Sequence, residues 1–128
     1  MRFPYPCFPG EFEIPDDWWG EAGMCGFTPA NASYLPADPA AQLIPLREID
    51  PPFRYPEHPK DFRGFDRARL VRILSGFVTG AAIEPVPMLA LPAVEFEPWP
   101  FRYRPRNGYH RFYASVAAGF TALPGIVP

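Results

Sequence analysis

Apolar residues recur at helical spacing in two stretches of the chain. The first stretch follows Asp66, and its apolar positions are three or four residues apart: Leu70, Ile73, Leu74 and Phe77. The second begins at Tyr109 and stops before Gly119. This spacing places the apolar side chains on one face of a helix, Asp66 suits the N-cap, and a glycine such as Gly119 suits the position that closes a helix. The pattern therefore predicts two amphipathic helices.

Four shorter stretches have the composition of β-strands: residues 43–49, 83–91, 99–104 and 122–127. Pro85 and Pro87 interrupt the second of these, which predicts an edge strand or a strand with irregular ends. With the two helices, the predicted order along the chain is β, α, β, β, α, β. This order predicts an α+β domain, with a small mixed β-sheet and flanking helices, over residues 43–128.

Residues 1–42 precede this pattern and are predicted to be an N-terminal extension that packs on the core. A short strand at 11–14 and a small helix that ends near Gly23 are expected there, followed by a loop. Trp18 and Trp19 are expected to attach this segment to the main body.

The composition and net charge of the chain disfavour several classes of function. The net charge is −2, whereas a protein that coats DNA is usually basic, so DNA binding is disfavoured. No run of 18 apolar residues predicts a membrane span, and the first residues lack the apolar stretch of a signal peptide, so a cytoplasmic protein is expected. The spacing of Cys7, Cys25, His58 and His110 supports no metal site.

Cationic residues are concentrated around the start of the second helix. Arg104, Arg106, His110 and Arg111 lie within eight residues of one another, beside the turn at Gly108. The start of a helix already carries about half a positive charge, so further cations there need compensation. A phosphate group bound at the helix start would supply it, and a glycine would let the ligand approach the backbone. A solvated basic turn, paired with acidic side chains of the N-terminal segment, is the alternative interpretation.

These residues carry a resemblance to a known family. Residues 107–111 (Asn-Gly-Tyr-His-Arg) and 118–124 (Ala-Gly-Phe-Thr-Ala-Leu-Pro) resemble the C-terminal motif of the ParB/sulfiredoxin-like superfamily. Residues 43–54, 66–77 and 83–86 are similar to the family's opening strand and proline turn, first helix and second strand. The resemblance covers about two-thirds of the chain, and residues 1–42 lie outside it.

The resemblance implies a nucleotide site. It places Gly108, His110 and Arg111 at the phosphates of the ligand, with Arg69 and Arg72 contributing from the first helix. It also suggests ATP or CTP with Mg²⁺ as the cofactor. Arg106 joins this set of phosphate-binding candidates because of its place in the basic turn.

Two carboxylates and one tyrosine bear on catalysis. Glu48 and Asp50 end a strand that the family places near the nucleotide, so they are the candidates for a base in hydrolysis or phosphotransfer. Tyr109 stands where sulfiredoxins have their catalytic cysteine, and tyrosine cannot replace that thiolate, so cysteine-sulfinate reduction is disfavoured. The chain given also lacks the helix-turn-helix DNA reader of ParB proteins.

The sequence thus favours a domain that binds a nucleotide or another phosphorylated small molecule. A non-catalytic interaction module, with its basic turn covered by the acidic N-terminal segment, is the first alternative. A DNA-binding or nuclease domain is the second. The oligomeric state is not fixed by the sequence, and a homodimer is among the partners it allows.

Overall fold

Six β-strands and three α-helices are found in the computed structural model, which describes residues 1–6, 9–53, 61–92 and 101–128. The strands are β1 (Arg2–Pro4), β2 (Glu11–Glu13), β3 (Gln42–Pro45), β4 (Val86–Ala90), β5 (Tyr103–Pro105) and β6 (Ala122–Ile126). The helices are α1 (Asp16–Glu21), α2 (Arg67–Thr79) and α3 (Tyr109–Ala118), and one turn of 3₁₀ helix covers Leu46–Glu48. None of the helices in these ranges is long and apolar enough to cross a membrane.

The strands form a two-stranded sheet, β1–β2, and a four-stranded sheet in the order β3-β6-β4-β5. In the larger sheet, β6 runs antiparallel to β3 and parallel to β4, and β5 runs antiparallel to β4. The chain after residue 42 therefore follows the predicted order of strands and helices. A mixed α+β architecture is confirmed.

Of the two alternatives predicted for this strand, an edge position or irregular ends, the edge position is wrong, because β4 lies between β6 and β5. Its two neighbours pair with different halves of the strand: β6 with Val86 and Pro87, and β5 with Met88, Leu89 and Ala90. The carbonyl of Pro87 accepts a hydrogen bond from the Arg106 amide at 2.9 Å. An internal proline is tolerated here because neither neighbour spans the whole strand, so little pairing depends on its missing N–H.

The first strand of the larger sheet is shorter than predicted. Pairing with β6 ends at Pro45, which faces Ala122, the first residue of β6. Beyond that point the Leu46 amide still donates to the Thr121 carbonyl at 2.9 Å, and the chain turns into the 3₁₀ helix that buries Leu46. The predicted strand at 99–104 is observed as β5 from Tyr103, and residues 99 and 100 lie outside the described residues.

Both predicted helices are confirmed, α2 with its predicted N-cap and α3 with its predicted start and end. The Asp66 carboxylate accepts a hydrogen bond from the Arg69 amide at 2.9 Å and so caps α2. Gly119 closes α3 in the left-handed conformation. The buried face of α2 carries Leu70, Leu74 and Phe77.

The N-terminal residues share the core with the rest of the chain. Trp18 and Trp19 are buried, as predicted. The ring of Phe12, in β2, meets Tyr113 of α3 edge-on with the ring centroids 4.9 Å apart. It also lies 6.3 Å from Phe65, just before α2. The small sheet is thus fixed to both long helices by aromatic contacts.

Gly125 in β6 tests how closely the core is packed. A Cβ at this position would lie 2.7 Å from Cδ1 of Ile44 and 2.9 Å from Cγ of Met88, both buried residues. We expect Gly125→Ala to lower the free energy of unfolding by about 1–3 kcal/mol through overpacking, as measured by urea denaturation.

Gly20 in α1 provides the matched control, because nothing lies within 4 Å of the Cβ that alanine would add. Gly20→Ala should leave stability unchanged or raise it by up to about 1 kcal/mol, since alanine favours helix over glycine. Adding Ile44→Val to Gly125→Ala removes one clashing methyl and should recover part of the loss. A Gly125→Ala protein as stable as the wild type would contradict the close packing of β6 against Ile44 and Met88.

Candidate anion-binding site

A cavity of about 810 Å³ lies between α2 and the start of α3. Its walls are the face of α2 with Arg69, Arg72, Ile73 and Gly76, the segments 81–84 and 107–111, and the residues Phe53 and Gly64. Five of the six predicted phosphate-binding residues therefore line one cavity: Arg69, Arg72, Gly108, His110 and Arg111. Residues about 40 positions apart in sequence meet there because α2 packs against α3.

Gly108 is required by the packing of the turn. Its φ of +116° is a conformation that other residues rarely adopt. A Cβ at this position would lie 2.7 Å from both Cγ atoms of Val86 in β4. The space left by the missing side chain is thus taken up by Val86, which brings the start of α3 directly against the sheet.

His110 connects the two long helices. Its Nε2 accepts a hydrogen bond from the backbone amide of Asp66, the N-cap of α2, at 2.9 Å. A nitrogen that accepts in this way carries no proton, so the imidazole is neutral with its proton on Nδ1. As a cation at the helix start, His110 was predicted to need an anion. In the structure its partner is the Asp66 amide of the same chain.

Arg111 holds the backbone that leads into β4. Its guanidinium donates to the carbonyl of Glu84 at 3.1 Å and to the carbonyl of Pro85 at 2.8 Å. The hydroxyl of Tyr34 donates to the same Glu84 carbonyl at 2.7 Å. Burial raises the pKa of this hydroxyl, so Tyr34 remains a donor at neutral pH.

Arg69 and Arg72 are exposed and lie one turn apart on the wall of the cavity. Within the described ranges, neither side chain forms an ion pair. Arg67, also in the first turn of α2, is by contrast paired with Glu21 of α1, and this contact raises its pKa. Arg69 and Arg72 are therefore the cations of this cavity with charge to offer a ligand.

Three predicted site residues lie elsewhere. Arg106 is exposed and is not part of the cavity wall. The carboxylate of Asp50 is paired with Arg104 at 3.2 Å, beside β5. The carbonyl of Glu48 accepts from the Arg102 amide at 2.7 Å, and neither Glu48 nor Asp50 lines the cavity.

Glu84 is the carboxylate that sequence reasoning missed. It lines the cavity together with the arginines, and its side chain forms no ion pair with a described residue. One signal could have indicated it: Glu84 is the only acidic residue between Asp66 and Glu95, in an otherwise basic part of the chain. Ile73, expected on the buried face of α2, also lines the cavity and is only half-buried.

The acidic N-terminal segment does not cover the basic turn in the described part of the chain. Glu13 lies 3.8 Å from Arg63, and Asp16 binds the N-terminal amine of Met1 at 2.7 Å. Neither carboxylate pairs with a cation of residues 104–111. The interaction-module alternative requires acidic N-terminal side chains to cover the turn. Glu13 and Asp16 do not do so, and neither lines the cavity beside it.

Tyr109 is half-buried on the cavity wall, at the position where the family resemblance would place a cysteine. Its ring packs against Phe65 and Tyr113, at centroid distances of 5.5 and 5.0 Å. Among the described residues, no three His, Cys, Asp or Glu side chains form a group that could hold a metal ion. Cys25 is exposed, and Cys7 and His58 lie outside the described residues.

Comparisons with protein-family models, curated proteins and solved structures find no match to this chain.

The bond between His110 and Asp66 gives a test of the site's architecture. We expect His110→Ala to lower the free energy of unfolding by about 1–3 kcal/mol, because the Asp66 amide then loses its acceptor. His110→Gln should retain more stability, since a glutamine oxygen can accept from the same amide. Urea denaturation of the three proteins measures both effects, and equal stability of His110→Ala and the wild type would contradict this role.

Proposed function

We propose that this chain is a ParB/sulfiredoxin-like domain that binds a nucleotide, or another phosphate-bearing small molecule, in the cavity between α2 and α3. The observation that carries the proposal is the convergence on one cavity of a helix start and two arginines that form no ion pair with a described residue. Arg69 and Arg72 come from α2, and residues 107–111 contribute the first turn of α3.

Anion binding follows from the chemistry of these groups. The first N–H groups of α3 have no acceptor within the helix, and the helix dipole adds about half a positive charge at this end. A guanidinium donates two parallel hydrogen bonds to phosphate oxygens, so an arginine pair suits a phosphate better than a single charge does. His110 and Arg111 support the proposal indirectly, because their bonds to Asp66 and to residues 84–85 hold the walls of the cavity.

The size of the cavity favours a ligand larger than inorganic phosphate. Its volume of about 810 Å³ is within the usual range of small-molecule sites, roughly 300–1,000 Å³. ATP or CTP fits this size, and the cationic wall suits a polyphosphate. Mg²⁺ would be held largely by the phosphates, as is usual for this ion.

Binding is the function that the geometry supports best. Hydrolysis or phosphotransfer needs a base beside the ligand, and neither Glu48 nor Asp50 lines the cavity. The alternatives of a non-catalytic interaction module and of a DNA-binding or nuclease domain have no specific contact in their favour.

Calorimetric titration with ATP, CTP and ADP, each with and without Mg²⁺, tests the proposal. We expect at least one of them to bind, and the double variant R69A/R72A to bind it at least about tenfold more weakly, because charge-assisted hydrogen bonds are lost.

Arg47→Ala is the matched control, because Arg47 is exposed in the 3₁₀ helix and does not line the cavity. This variant loses one positive charge outside the cavity, whereas R69A/R72A loses two from the cavity wall, and it should bind like the wild type. If no nucleotide binds at millimolar concentration, or if the double variant binds as well as the Arg47→Ala protein, the proposal is wrong.

A further inference from the structure

A carboxylate lies on the wall of a cavity whose other charged side chains are arginines. Glu84 shares the cavity with Arg69, Arg72 and Arg111, yet no carboxylate–guanidinium contact within 4.0 Å joins it to any described residue. Because these opposite charges share a cavity without pairing with each other, the carboxylate and the guanidinium groups are both available to a ligand. A cationic and an anionic group are thus presented to the same bound molecule.

The backbone at Glu84 is fixed from several sides, and none of these contacts uses its carboxylate. Arg111 and Tyr34 both donate to the Glu84 carbonyl. The preceding residue, Ile83, donates its amide to the Leu35 carbonyl and accepts from the Ala37 amide, at 2.9 and 2.8 Å. A residue whose main chain is held this firmly presents its side chain from a fixed origin, which is how binding sites are preorganised.

Apolar side chains also form part of the cavity wall. Ile73, Ala81, Ala82 and Ile83 line it. These residues offer no hydrogen bonds from their side chains, and they suit the carbon skeleton of a ligand. A bare polyphosphate would leave this surface in contact with water.

We infer that Glu84 is a specificity residue that accepts a hydrogen bond from a hydroxyl or amino group of the ligand, while the phosphate of the same ligand lies against Arg69 and Arg72. The site then selects phosphate esters with a hydrogen-bond-donating organic skeleton over inorganic phosphates. This inference rests on the proposed function, because it needs a phosphate to bind at the arginines. It goes further by assigning Glu84 as the partner of the end of the ligand opposite the phosphate.

The test compares ATP with inorganic tripolyphosphate, which has the same chain of phosphates and no organic skeleton. Calorimetry is carried out in EDTA, so that no metal ion joins the carboxylate to the phosphates. The wild type should bind ATP about tenfold or more tightly than tripolyphosphate, since a hydrogen bond to a charged group contributes to the ATP complex alone.

Glu84→Ala should weaken ATP binding by a similar factor and leave tripolyphosphate binding unchanged or stronger, because a repulsive negative charge is removed. The substitution keeps the main-chain bonds at residue 84, so the fold is preserved. Glu11→Ala is the matched control, since Glu11 is exposed in β2 and does not line the cavity. It should alter neither affinity.

The outcomes separate the two proposals. Failure of ATP, CTP, ADP and tripolyphosphate to bind, in EDTA and with Mg²⁺, would overturn the proposed function. Binding of both with equal affinity, unaffected by Glu84→Ala, would leave the proposed function intact and overturn the inference about Glu84. A Glu84 effect that appears only when Mg²⁺ is added would also overturn it, because the carboxylate would then act on the metal ion.

Discussion

The close approach of Gly108 to Val86 determines where α3 begins, and the rest of the site depends on it. A side chain at position 108 would occupy the space of the Val86 methyl groups, 2.7 Å away. With the helix start against β4, Arg111 reaches the carbonyls before the strand, and His110 reaches the amide of Asp66 on the neighbouring helix. These bonds hold the start of α3, the entry to β4 and the N-cap of α2 around the cavity.

The same bonds occupy the basic side chains at the start of α3, so that the charge available in the cavity is not theirs. Cations at a helix start need compensation, and here the chain supplies it from its own backbone. Two carbonyl oxygens receive the guanidinium of Arg111, and an amide donates to a neutral His110. The charge left for an external anion belongs to Arg69 and Arg72, on the other helix. His110 and Arg111 thus hold the walls of the cavity, and Arg69 and Arg72 are the cations available to an anion.

Local signals in the sequence predicted both long helices, the N-cap of α2, the closing glycine of α3 and the order of the strands, because caps and apolar spacing depend on residues close together in the chain. Facts that depend on distant partners were not predictable. The internal place of β4 depends on how β5 and β6 divide its length. The bond from Asp66 to His110 joins residues 44 positions apart. Glu48 and Asp50 were placed near the ligand by resemblance alone, and tertiary packing turns Asp50 toward Arg104.

The N-terminal segment supports the site by packing rather than by charge. The interaction-module alternative required its carboxylates to cover the basic turn, yet Glu13 and Asp16 are engaged elsewhere. Its aromatic ring at Phe12 instead packs against Phe65. The Phe65 ring in turn lies 5.9 Å from the His110 imidazole, next to the bond that His110 makes with α2. Because interiors are close-packed, a ring behind the imidazole restricts where its Nε2 can point. Residues before the four-stranded sheet therefore take part in holding the cavity in shape, which joins the extension and the site in one core.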